Sequence, residues 1–420
     1  MTRKKTRTTA RKAAGKAAGK SGRTTARKPS PARAPGTQHA KPAGRPAARR
    51  KGAHAESVGR SVPHSYAPME AESVETLPTG DEWQYEPKWD GFRCVAFRSD
   101  TAVDLRSKAG KPLSRYFPDV VEAVRVLPVG RAVFDSELVV PINGALSFDD
   151  LLQRIHPAAS RVARLASEHP ALCIVFDLLA DEEGHSLVQL PLRERRKRLE
   201  ALSASAFGPV PVLRSGAQRS AVVLSPATTN ARVAAKWFRR GSSGWGGLDG
   251  VIAKQLDLPY QTGTRAGMQK IKQLRTVDCV VGGFRYASTG GTVGSLLLGL
   301  YDDEGLLQHV GFTSAMSASE RAALTPRLVR LIKPPGFTGR APGGPSRWST
   351  RRTDEWQPLT PKLVVEVQYD HYSDGRFRHG TGFLRWRPDK APRQCTLDQI
   401  EPTGRSSLAL LAKGAGRRAR

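Results

Sequence analysis

The sequence predicts an α+β protein, in which a mixed domain of helices and strands precedes a β-rich domain and a basic tail lies at each end. Helical and strand patterns alternate up to residue 254, whereas after Arg275 short apolar runs are separated by Gly and Asp turns. Both chain ends are rich in Lys and Arg and almost free of acids. We therefore divide the chain into a tail (1–62), a first domain (63–275), a second domain (276–403) and a C-terminal tail (404–420).

The net charge of the chain is concentrated in its ends. The 420 residues include 67 Lys and Arg against 38 Asp and Glu, a formal charge of +29. Residues 1–60 hold 18 of the basic residues and one acid, and residues 404–420 hold five basic residues and no acid. The N-terminal composition cannot bury enough apolar area to offset the entropy of ordering, so we expect it to be disordered. Its charge favours salt-sensitive contact with a nucleic-acid backbone over a tail that has no partner.

Several classes of protein are excluded by composition. A membrane span needs about 18–20 consecutive apolar residues, and the chain has no such stretch. The basic N-terminus lacks the apolar region of a secretory signal. The cysteines are isolated, without a C-x-x-C pair, so we expect buried free thiols in a reducing cytoplasm at Cys94, Cys173, Cys279 and Cys395.

The elements of the first domain follow from the spacing of apolar residues. They are predicted, in chain order, as strands over 83–106 and 133–141, a helix over about 149–165, a buried strand over 173–179, an amphipathic helix over 191–202 and a strand over 248–254. The Arg and Lys residues of the second helix are interpreted as a solvated face, with phosphate contact as the alternative. A Gly/Ser loop over 241–247 leads into the last strand.

The second domain is predicted to be a small barrel or sandwich. Runs such as VDCVVGGFRY, GSLLLGLYD and LVVEVQYDHY have the length and residue types of strands. The Pro- and Gly-rich segment 334–358 is predicted to be a long loop.

Lys88, in the segment EPKWDGFR, is the candidate nucleophile. A lysine held among apolar residues at a strand end loses its proton more readily than a solvated lysine, and the neutral amine is a nucleophile. Asp90 and Gly91 fit a turn, in which Gly91 would let the backbone approach a phosphate. Taken alone, the tetrapeptide Lys-Trp-Asp-Gly fits a surface lysine before a turn better than a catalytic one.

Seven elements in one order change that interpretation. The chain resembles the covalent nucleotidyltransferases, specifically the ATP-dependent DNA ligases, and its ending is most similar to the small bacterial ligase C group. The elements that carry the resemblance are EPKWDGFR (86–93), DLRSKAGKPLSRYFP (104–118), FDSELV (134–139), VFDLL (175–179), LDGVIAK (248–254), QKIK (269–272) and FLRWRPDKAP (383–392). They span the region between the tails, about residues 82–400.

The resemblance implies a fold and a reaction. It implies a nucleotidyltransferase (adenylation) domain followed by an all-β OB-fold domain. Lys88 would attack the α-phosphate of ATP to form lysine–AMP and release pyrophosphate. The AMP would pass to the 5′-phosphate of a nick in duplex DNA, and the 3′-hydroxyl would displace it. Such phosphoryl transfers depend on positioning and on neutralisation of charge.

The resemblance also assigns roles to other residues. Glu86 would read the adenine edge, Phe176 would stack on the base and Glu137 would bind the ribose. Asp249 and Glu137 would hold Mg²⁺, with Mn²⁺ as a substitute, since oxygen donors suit these ions. The residues expected to meet phosphates are Arg93, Arg106, Arg265, Lys270 and Lys272 from the first domain and Arg387, Asp389 and Lys390 from the second.

Two positions depart from the family pattern. Ser136 replaces the usual glycine of the D-G-E element, and Asp249 stands where most relatives have glutamate. The shorter carboxylate of Asp249 predicts a shifted or water-mediated metal contact.

Other functions stay open at the level of sequence. The alternatives are an RNA ligase or capping-type nucleotidyltransferase, and a non-catalytic protein that compacts DNA through its tails. The leading hypothesis is a monomeric, cytoplasmic and nucleoid-associated DNA repair ligase with a role in recombination, in which the basic tails contact the DNA backbone.

Overall fold

The structure is a computed structural model, and it describes residues 61–207, 221–242, 245–246, 248–288, 290–343, 355–400, 405–406 and 408–414. The predicted N-terminal tail lies outside these residues up to position 60. Val62 is already buried, against Met69 and Phe97, so packing begins within the segment that was predicted to be disordered.

Strands make up most of the regular structure. The strands are β1 (Glu72–Val74), β2 (Trp83–Trp89), β3 (Phe92–Ser99), β4 (Ala102–Ser107), β5 (Arg131–Val139), β6 (Pro141–Ile142), β7 (Ala145–Leu146), β8 (Leu172–Ala180), β9 (Ala221–Leu224), β10 (Trp245–Gly246), β11 (Leu248–Gln255), β12 (Met268–Lys272), β13 (Arg275–Tyr286), β14 (Val293–Tyr301), β15 (Leu307–Thr313), β16 (Gln357–Pro358), β17 (Val364–Tyr369), β18 (Tyr372–Ser373), β19 (Arg376–Phe377), β20 (Gly382–Trp386) and β21 (Arg405–Ser406). The helices are α1 (Pro118–Arg125), α2 (Phe148–Gln153), α3 (Ala159–Glu168), α4 (Leu192–Ala206), α5 (Ala231–Ser242), α6 (Ala318–Val329) and α7 (Ala409–Gly414).

Two sheets form the framework of the first domain. One has the order β4-β3-β5-β8-β9, and the other has the order β1-β12-β11-β2. The central strand β8 is buried along its whole length, as its continuous apolar sequence predicts. Helices α1 and α4 pack on the first sheet, and α5 packs on β2 and β11 of the second. The predicted strands are therefore confirmed, and the helix expected over 149–165 is two helices, α2 and α3, separated around Pro157.

Helix α4 corrects the interpretation of its basic residues. Arg195 and Arg196 are buried, although both belong to the cluster that was expected to face solvent or phosphates. Arg195 forms a bidentate pair with Asp177 on β8, at 2.8 and 2.9 Å. The pair outweighs the effect of burial and lowers the pKa of Asp177. These arginines therefore attach the helix to the sheet.

The second domain is built on the sheet β15-β14-β13-β17-β20, with β16 added beside β13. An isolated bridge between Thr313 and Thr381 joins the end of β15 to the start of β20. Helix α6 lies between the third and fourth long strands and packs on β14. This arrangement of an open barrel and one helix confirms the expected OB-fold, and α6 is an element that the sequence analysis did not predict.

The C-terminal segment was expected to be a basic tail outside the folded domains, and this is wrong for its first half. Leu408, Leu410 and Leu411 are buried in the core of the first domain beside Trp237. These three side chains give α7 and the residue before it enough apolar surface to pack, despite the basic residues around them. Residues 415–420 lie outside the described residues.

The remaining predictions concern thiols and membranes. All four cysteines are buried and free, as predicted. None of the helices in the described part of the chain is long and apolar enough to cross a membrane.

Candidate active site

Lys88 lines a cavity of about 190 Å³ between the two sheets of the first domain. The antiparallel pairing of β2 with β11 sets Lys88 opposite Gly250 and Glu86 opposite Ile252. The other sheet contributes the side chains of β3, β5 and β8. Residues that line the cavity include Glu86, Lys88, Arg93, Lys108, Glu137, Phe176, Lys254 and Lys270.

The nucleophile candidate is paired with the candidate metal ligand. The Lys88 ammonium donates to Asp249 Oδ2 at 2.5 Å. Burial lowers the pKa of Lys88, but the contact with Asp249 and the charges of Glu137 and Asp90 together raise it more, and the net shift is upward. Lys88 is therefore held as a cation in the absence of nucleotide. Asp249, although one methylene shorter than glutamate, still contacts Lys88 directly.

Phe176 lies close to two cations. The Arg93 guanidinium is 4.7 Å from the centre of the ring, and the Lys254 ammonium is 4.6 Å from it. Cations near an aromatic ring are attracted by its quadrupole, and they fix the ring against the cavity wall. The ring is 8% exposed, and it lines the cavity where a flat base could stack.

Glu86 sits in a fully satisfied buried network. Its Oε2 accepts from Lys254 at 2.8 Å, and its Oε1 accepts from the Gln84 amide at 2.8 Å. Both members of the Glu86–Lys254 pair are at least 95% buried. A buried carboxylate in such a network has a fixed orientation, which suits the reading of a base edge.

Arg93 is tied to the interior as well as to the cavity. Its guanidinium makes a bidentate pair with Asp135, at 2.5 and 2.6 Å, and Tyr260 donates to the same carboxylate at 2.6 Å. Burial and the charge of Asp135 raise the pKa of Tyr260 well above its usual range. The position of Arg93 is therefore fixed before any phosphate binds.

The part of the cavity where phosphates are expected to bind is rich in positive charge. Burial, with the nearby charges of Lys272 and Lys88, lowers the pKa of Lys270. Lys108 also lines the cavity and pairs with Glu70 at 3.0 Å, while Arg265 approaches Glu70 at 3.6 Å. These like charges repel one another, as the lowered pKa of Lys270 shows, and a polyphosphate would relieve their repulsion.

Glu137 faces the cavity from β5, opposite Arg93 on β3. Burial raises its pKa to about 8, against the lowering effect of Arg93 and Lys88. Ser136 beside it is buried within β5 and donates to the carbonyl of Cys94 at 2.8 Å. Serine in place of the usual glycine therefore leaves β5 continuous and leaves Glu137 facing the cavity.

The donors around Lys88 fit a divalent cation. Asp90, Asp249 and His371 bring ligand atoms within 4.8 Å of one another. Glu137 lines the cavity from the facing sheet. Carboxylate oxygens match Mg²⁺, and an added imidazole is also compatible with Mn²⁺.

Gly91 has a structural role that differs from the predicted one. A Cβ at this position would lie 2.2 Å from the carbonyl oxygen of Leu138 on β5. The close approach of this turn to β5 therefore requires a glycine, and the predicted contact of its backbone with a phosphate stays a prediction.

Some of the predicted phosphate ligands lie away from the cavity. Arg106 pairs with Asp104 at 2.6 Å on β4. In the second domain, Arg387 and Lys390 both donate to Asp278, at 2.8 and 2.7 Å, and Asp389 accepts from Arg387 at 2.8 Å. The structure does not bring Arg387, Asp389 or Lys390 to the cavity.

A different part of the second domain contacts the site. Arg378 makes a bidentate pair with Asp90, at 2.7 and 2.8 Å, and His371 hydrogen-bonds to Asp249. Asp370 accepts from Lys272 at 3.0 Å. Sequence reasoning missed Arg378, Asp370 and His371 as residues of the site.

Lys254 and Asp90 were also missed as site residues. Both lie within elements that the sequence analysis singled out, as the last residue of LDGVIAK and the turn residue of EPKWDGFR. The available signals were the pairing of the strand of Lys254 with that of Glu86, and the place of Asp90 two residues after Lys88.

Comparison with known proteins gives consistent family matches. A family model described as "ATP dependent DNA ligase domain" matches residues 68–272, and a second described as "ATP dependent DNA ligase C terminal region" matches residues 289–390. DNA ligase C2 of Mycolicibacterium smegmatis is 43% identical over 360 residues, which cover 81% of this chain and 96% of that protein. DNA ligase C of Mycobacterium tuberculosis is 40% identical over 366 residues, which cover 83% of this chain and 97% of that protein. The crystal structure of the ligase domain of M. tuberculosis LigD matches 79% of this chain and 98% of its own, with 27% identity and a TM-score of 0.40.

Proposed function

The chain belongs to the ATP-dependent DNA ligases of the ligase C group, and on that premise we propose that it seals nicks in duplex DNA through a covalent AMP on Lys88. It is an enzyme that uses ATP as co-substrate and DNA as substrate. The nick as the preferred substrate and the role of each side chain are parts of the proposal.

One observation carries the assignment of Lys88. It lines the same cavity as Phe176, an aromatic ring close to two cations, and as the lysines Lys108 and Lys270. The ring suits a purine, the lysines suit phosphates, and Lys88 lines the cavity together with both. This supports adenine on Phe176, with Glu86 at the base edge and Glu137 at the ribose.

The first step joins Lys88 to AMP. The Lys88 amine, having given up a proton, attacks the α-phosphorus of ATP, and the bond from that phosphorus to the bridging oxygen of pyrophosphate breaks. Lys270 and Lys272 would neutralise the departing pyrophosphate, with Arg265 at the rim of the cavity. Arg93 is held rigidly by Asp135 and would stabilise charge without reorganisation. The other predicted phosphate ligands would have to move closer to the cavity to take part; these are Arg106, Arg387, Asp389 and Lys390.

The next two steps restore the lysine and close the strand. An oxygen of the DNA 5′-phosphate attacks the phosphorus of lysine–AMP, the P–N bond breaks, and the Lys88 nitrogen recovers a proton. The 3′-hydroxyl then attacks the 5′-phosphorus, AMP leaves with the electron pair of the broken P–O bond, and a phosphodiester remains.

A divalent cation fits the oxygen donors of this site. We propose that Asp249 and Glu137 hold Mg²⁺, or Mn²⁺ in its place. When bound, the ion would neutralise charge on the phosphates.

The organisation of the chain is part of the same proposal. Residues 63–275 would form the adenylation domain, and residues 276–403 the OB-fold domain. The basic ends would contact the DNA backbone, since displaced counterions favour such binding. We propose a monomer that acts in DNA repair and recombination in the nucleoid of the cytoplasm.

The proposal is tested by sealing a fluorescently labelled nicked duplex with ATP and Mg²⁺ on a denaturing gel. Wild type should seal, Lys88→Ala should not, and Lys197→Ala should behave as wild type, since Lys197 is exposed on α4. Sealing by the Lys88 variant, or loss of sealing in both variants, would overturn the assignment of Lys88. A parallel substrate with a nicked RNA strand separates the DNA ligase from an RNA ligase.

A further inference from the structure

A buried tyrosine, Tyr260, joins two parts of the cavity wall without lining the cavity itself. Its hydroxyl donates to Asp135 Oδ2 at 2.6 Å and accepts from the backbone N–H of Met69 at 3.0 Å. Tyr260 and Asp135 are 4% and 0% exposed, and neither belongs to the residues that line the cavity. Both hydrogen bonds are therefore shielded from water, where a polar group is costly to leave without its partner.

These hydrogen bonds close into a ring through Arg93. The Arg93 guanidinium donates from Nε to Asp135 Oδ1 at 2.5 Å and from Nη2 to Asp135 Oδ2 at 2.6 Å. Nη2 also donates to the carbonyl oxygen of Met69, at 3.4 Å. The backbone of Met69 is thus bound at its N–H by Tyr260 and at its carbonyl by Arg93. The carboxylate of Asp135 joins the two side chains and completes the ring.

The ring determines which nitrogen of Arg93 can meet a nucleotide. Asp135 binds Nε and Nη2 together, and such a bidentate pair fixes the plane of the guanidinium. Nη1 donates to no residue in the part of the chain that the structure describes. Arg93 lines the cavity, with its guanidinium 4.7 Å from the centre of the Phe176 ring. Nη1 is therefore the nitrogen available to an oxygen of a bound nucleotide.

The same ring holds one wall of the cavity. Residues 69–71, directly before β1, line the cavity. Glu70 within them pairs at 3.0 Å with Lys108, which lines the cavity as well. Because the backbone of Met69 is bound at both its N–H and its carbonyl, this wall and the Arg93 guanidinium keep a fixed position relative to each other.

Tyr260 is itself held by groups outside the ring. Its backbone N–H donates to the carbonyl of Val188 at 2.8 Å, and the Arg195 guanidinium lies 5.5 Å from the centre of its aromatic ring. Burial, followed by the charge of Asp135, raises the pKa of Tyr260 well above its usual range, so the hydroxyl stays protonated and remains a donor. A donor that is fixed in place before substrate binds costs no reorganisation during the reaction.

We propose that Tyr260 is a positioning residue for the transfer of AMP to Lys88. It acts through Asp135, whose orientation sets that of Arg93. The proposal rests on the function proposed above. Removal of the hydroxyl leaves Asp135 with one donor fewer and lets the guanidinium tilt, so the chemical step slows while the cavity still binds ATP.

The experiment separates the rate of the chemical step from the fraction of folded enzyme. Purified protein is freed of bound AMP with pyrophosphate, and labelling of Lys88 by ATP and Mg²⁺ is followed in single turnovers over a range of ATP concentrations. Each time course gives a rate constant, and its amplitude gives the fraction of enzyme that reacts. The variants are Tyr260→Phe, Asp135→Asn and the double variant. Tyr85→Phe is the matched control, because Tyr85 is also buried and its hydroxyl donates to the carbonyl of Pro78 at 2.7 Å.

Tyr260→Phe should lower the rate constant at saturating ATP by about tenfold, the equivalent of about 1.4 kcal/mol, and should change the half-saturating ATP concentration by less than about threefold. Tyr85→Phe should keep the wild-type rate constant, whatever it loses in thermal stability. Asp135→Asn should be slower than Tyr260→Phe. The double variant should be at most about twofold slower than Asp135→Asn, because a hydroxyl that acts through the carboxylate adds little once the carboxylate is gone.

A rate constant for Tyr260→Phe equal to that of Tyr85→Phe would overturn the proposal, and so would a defect confined to the amplitude, which is what a purely structural role produces. A double variant slowed by the product of the two single effects would show that the hydroxyl does not act through Asp135, and would overturn it too. Partial unfolding of Tyr260→Phe lowers the amplitude and leaves the rate constant of the folded molecules measurable. Tyr260→Phe protein without any folded fraction in thermal melting would identify the hydroxyl as structural, against the proposal. Failure of the proposed function is a different result, in which wild type does not label Lys88 at all.

Discussion

Replacement of Lys254 by methionine tests the buried network that holds the adenine end of the cavity. Lys254 and Glu86 are 2.8 Å apart, with side chains 5% and 3% exposed. Methionine has similar length but no charge, so Glu86 would keep only the hydrogen bond from Gln84. Breaking a buried pair from one side costs about 3–5 kcal/mol, because the remaining charge is left without a partner. We expect Lys254→Met to lower the free energy of unfolding by that amount.

The double variant Lys254→Met/Glu86→Gln removes both charges together. It should be more stable than the sum of the single variants predicts, by about 2–3 kcal/mol, since contacting groups are coupled. Urea unfolding followed by tryptophan fluorescence reports on this region, because Trp83 and Trp89 lie on the strand of Glu86. Lys236→Met, at an exposed site on α5, should change stability by less than about 0.5 kcal/mol. A cost below about 1 kcal/mol for Lys254→Met, or simple additivity in the double variant, would refute the reasoning.

Three further predictions concern the base, pH and the tail. Phe176→Leu should weaken ATP binding by about 5- to 150-fold, the range of a stacking contact worth about 1–3 kcal/mol, and unchanged affinity in equilibrium titration would contradict stacking. Burial, followed by the charge of Arg376, lowers the pKa of His309 to about 3, so its contribution to stability is complete above pH 6.5 and is lost as the pH falls toward 3. Relative to His309→Phe, wild type should lose about 2 kcal/mol of unfolding free energy between pH 7 and pH 5, and parallel pH profiles would exclude this histidine as the cause. Deletion of residues 1–60 should reduce DNA affinity and flatten its salt dependence without slowing lysine adenylation, and equal salt slopes for the two proteins would show that the tail makes no backbone contact.

Local sequence determines the part of the site that could be predicted. Glu86 and Lys88 are two positions apart on one strand, so both side chains belong to the same face. The pairing of this strand with LDGVIAK is consistent with the strand pattern of that segment. Phe176 lies in an apolar run too short for anything except a buried strand. Such positions depend on neighbours in sequence and on the periodicity of the strand.

Contacts between distant residues explain what could not be predicted. Arg378 and Asp90 are 288 positions apart, and no local pattern in either segment specifies the other. Arg195 looks solvent-exposed in a run of basic residues, but its burial depends on Asp177 in a strand of another motif. Helix α6 was missed, although the capping box formed by Ser317 and Glu320 marks its start.

The central claim is a covalent bond between Lys88 and AMP, and intact-mass spectrometry tests it most directly. Protein freed of AMP is incubated with ATP and Mg²⁺, and its mass is compared with that of Lys88→Ala and Lys197→Ala. Wild type and Lys197→Ala should each gain one adenylyl group, which fragmentation places on Lys88 and pyrophosphate removes. The Lys88 variant should gain nothing. An adenylyl group on another residue, or no gain by wild type, would contradict the assignment of Lys88 as the nucleophile.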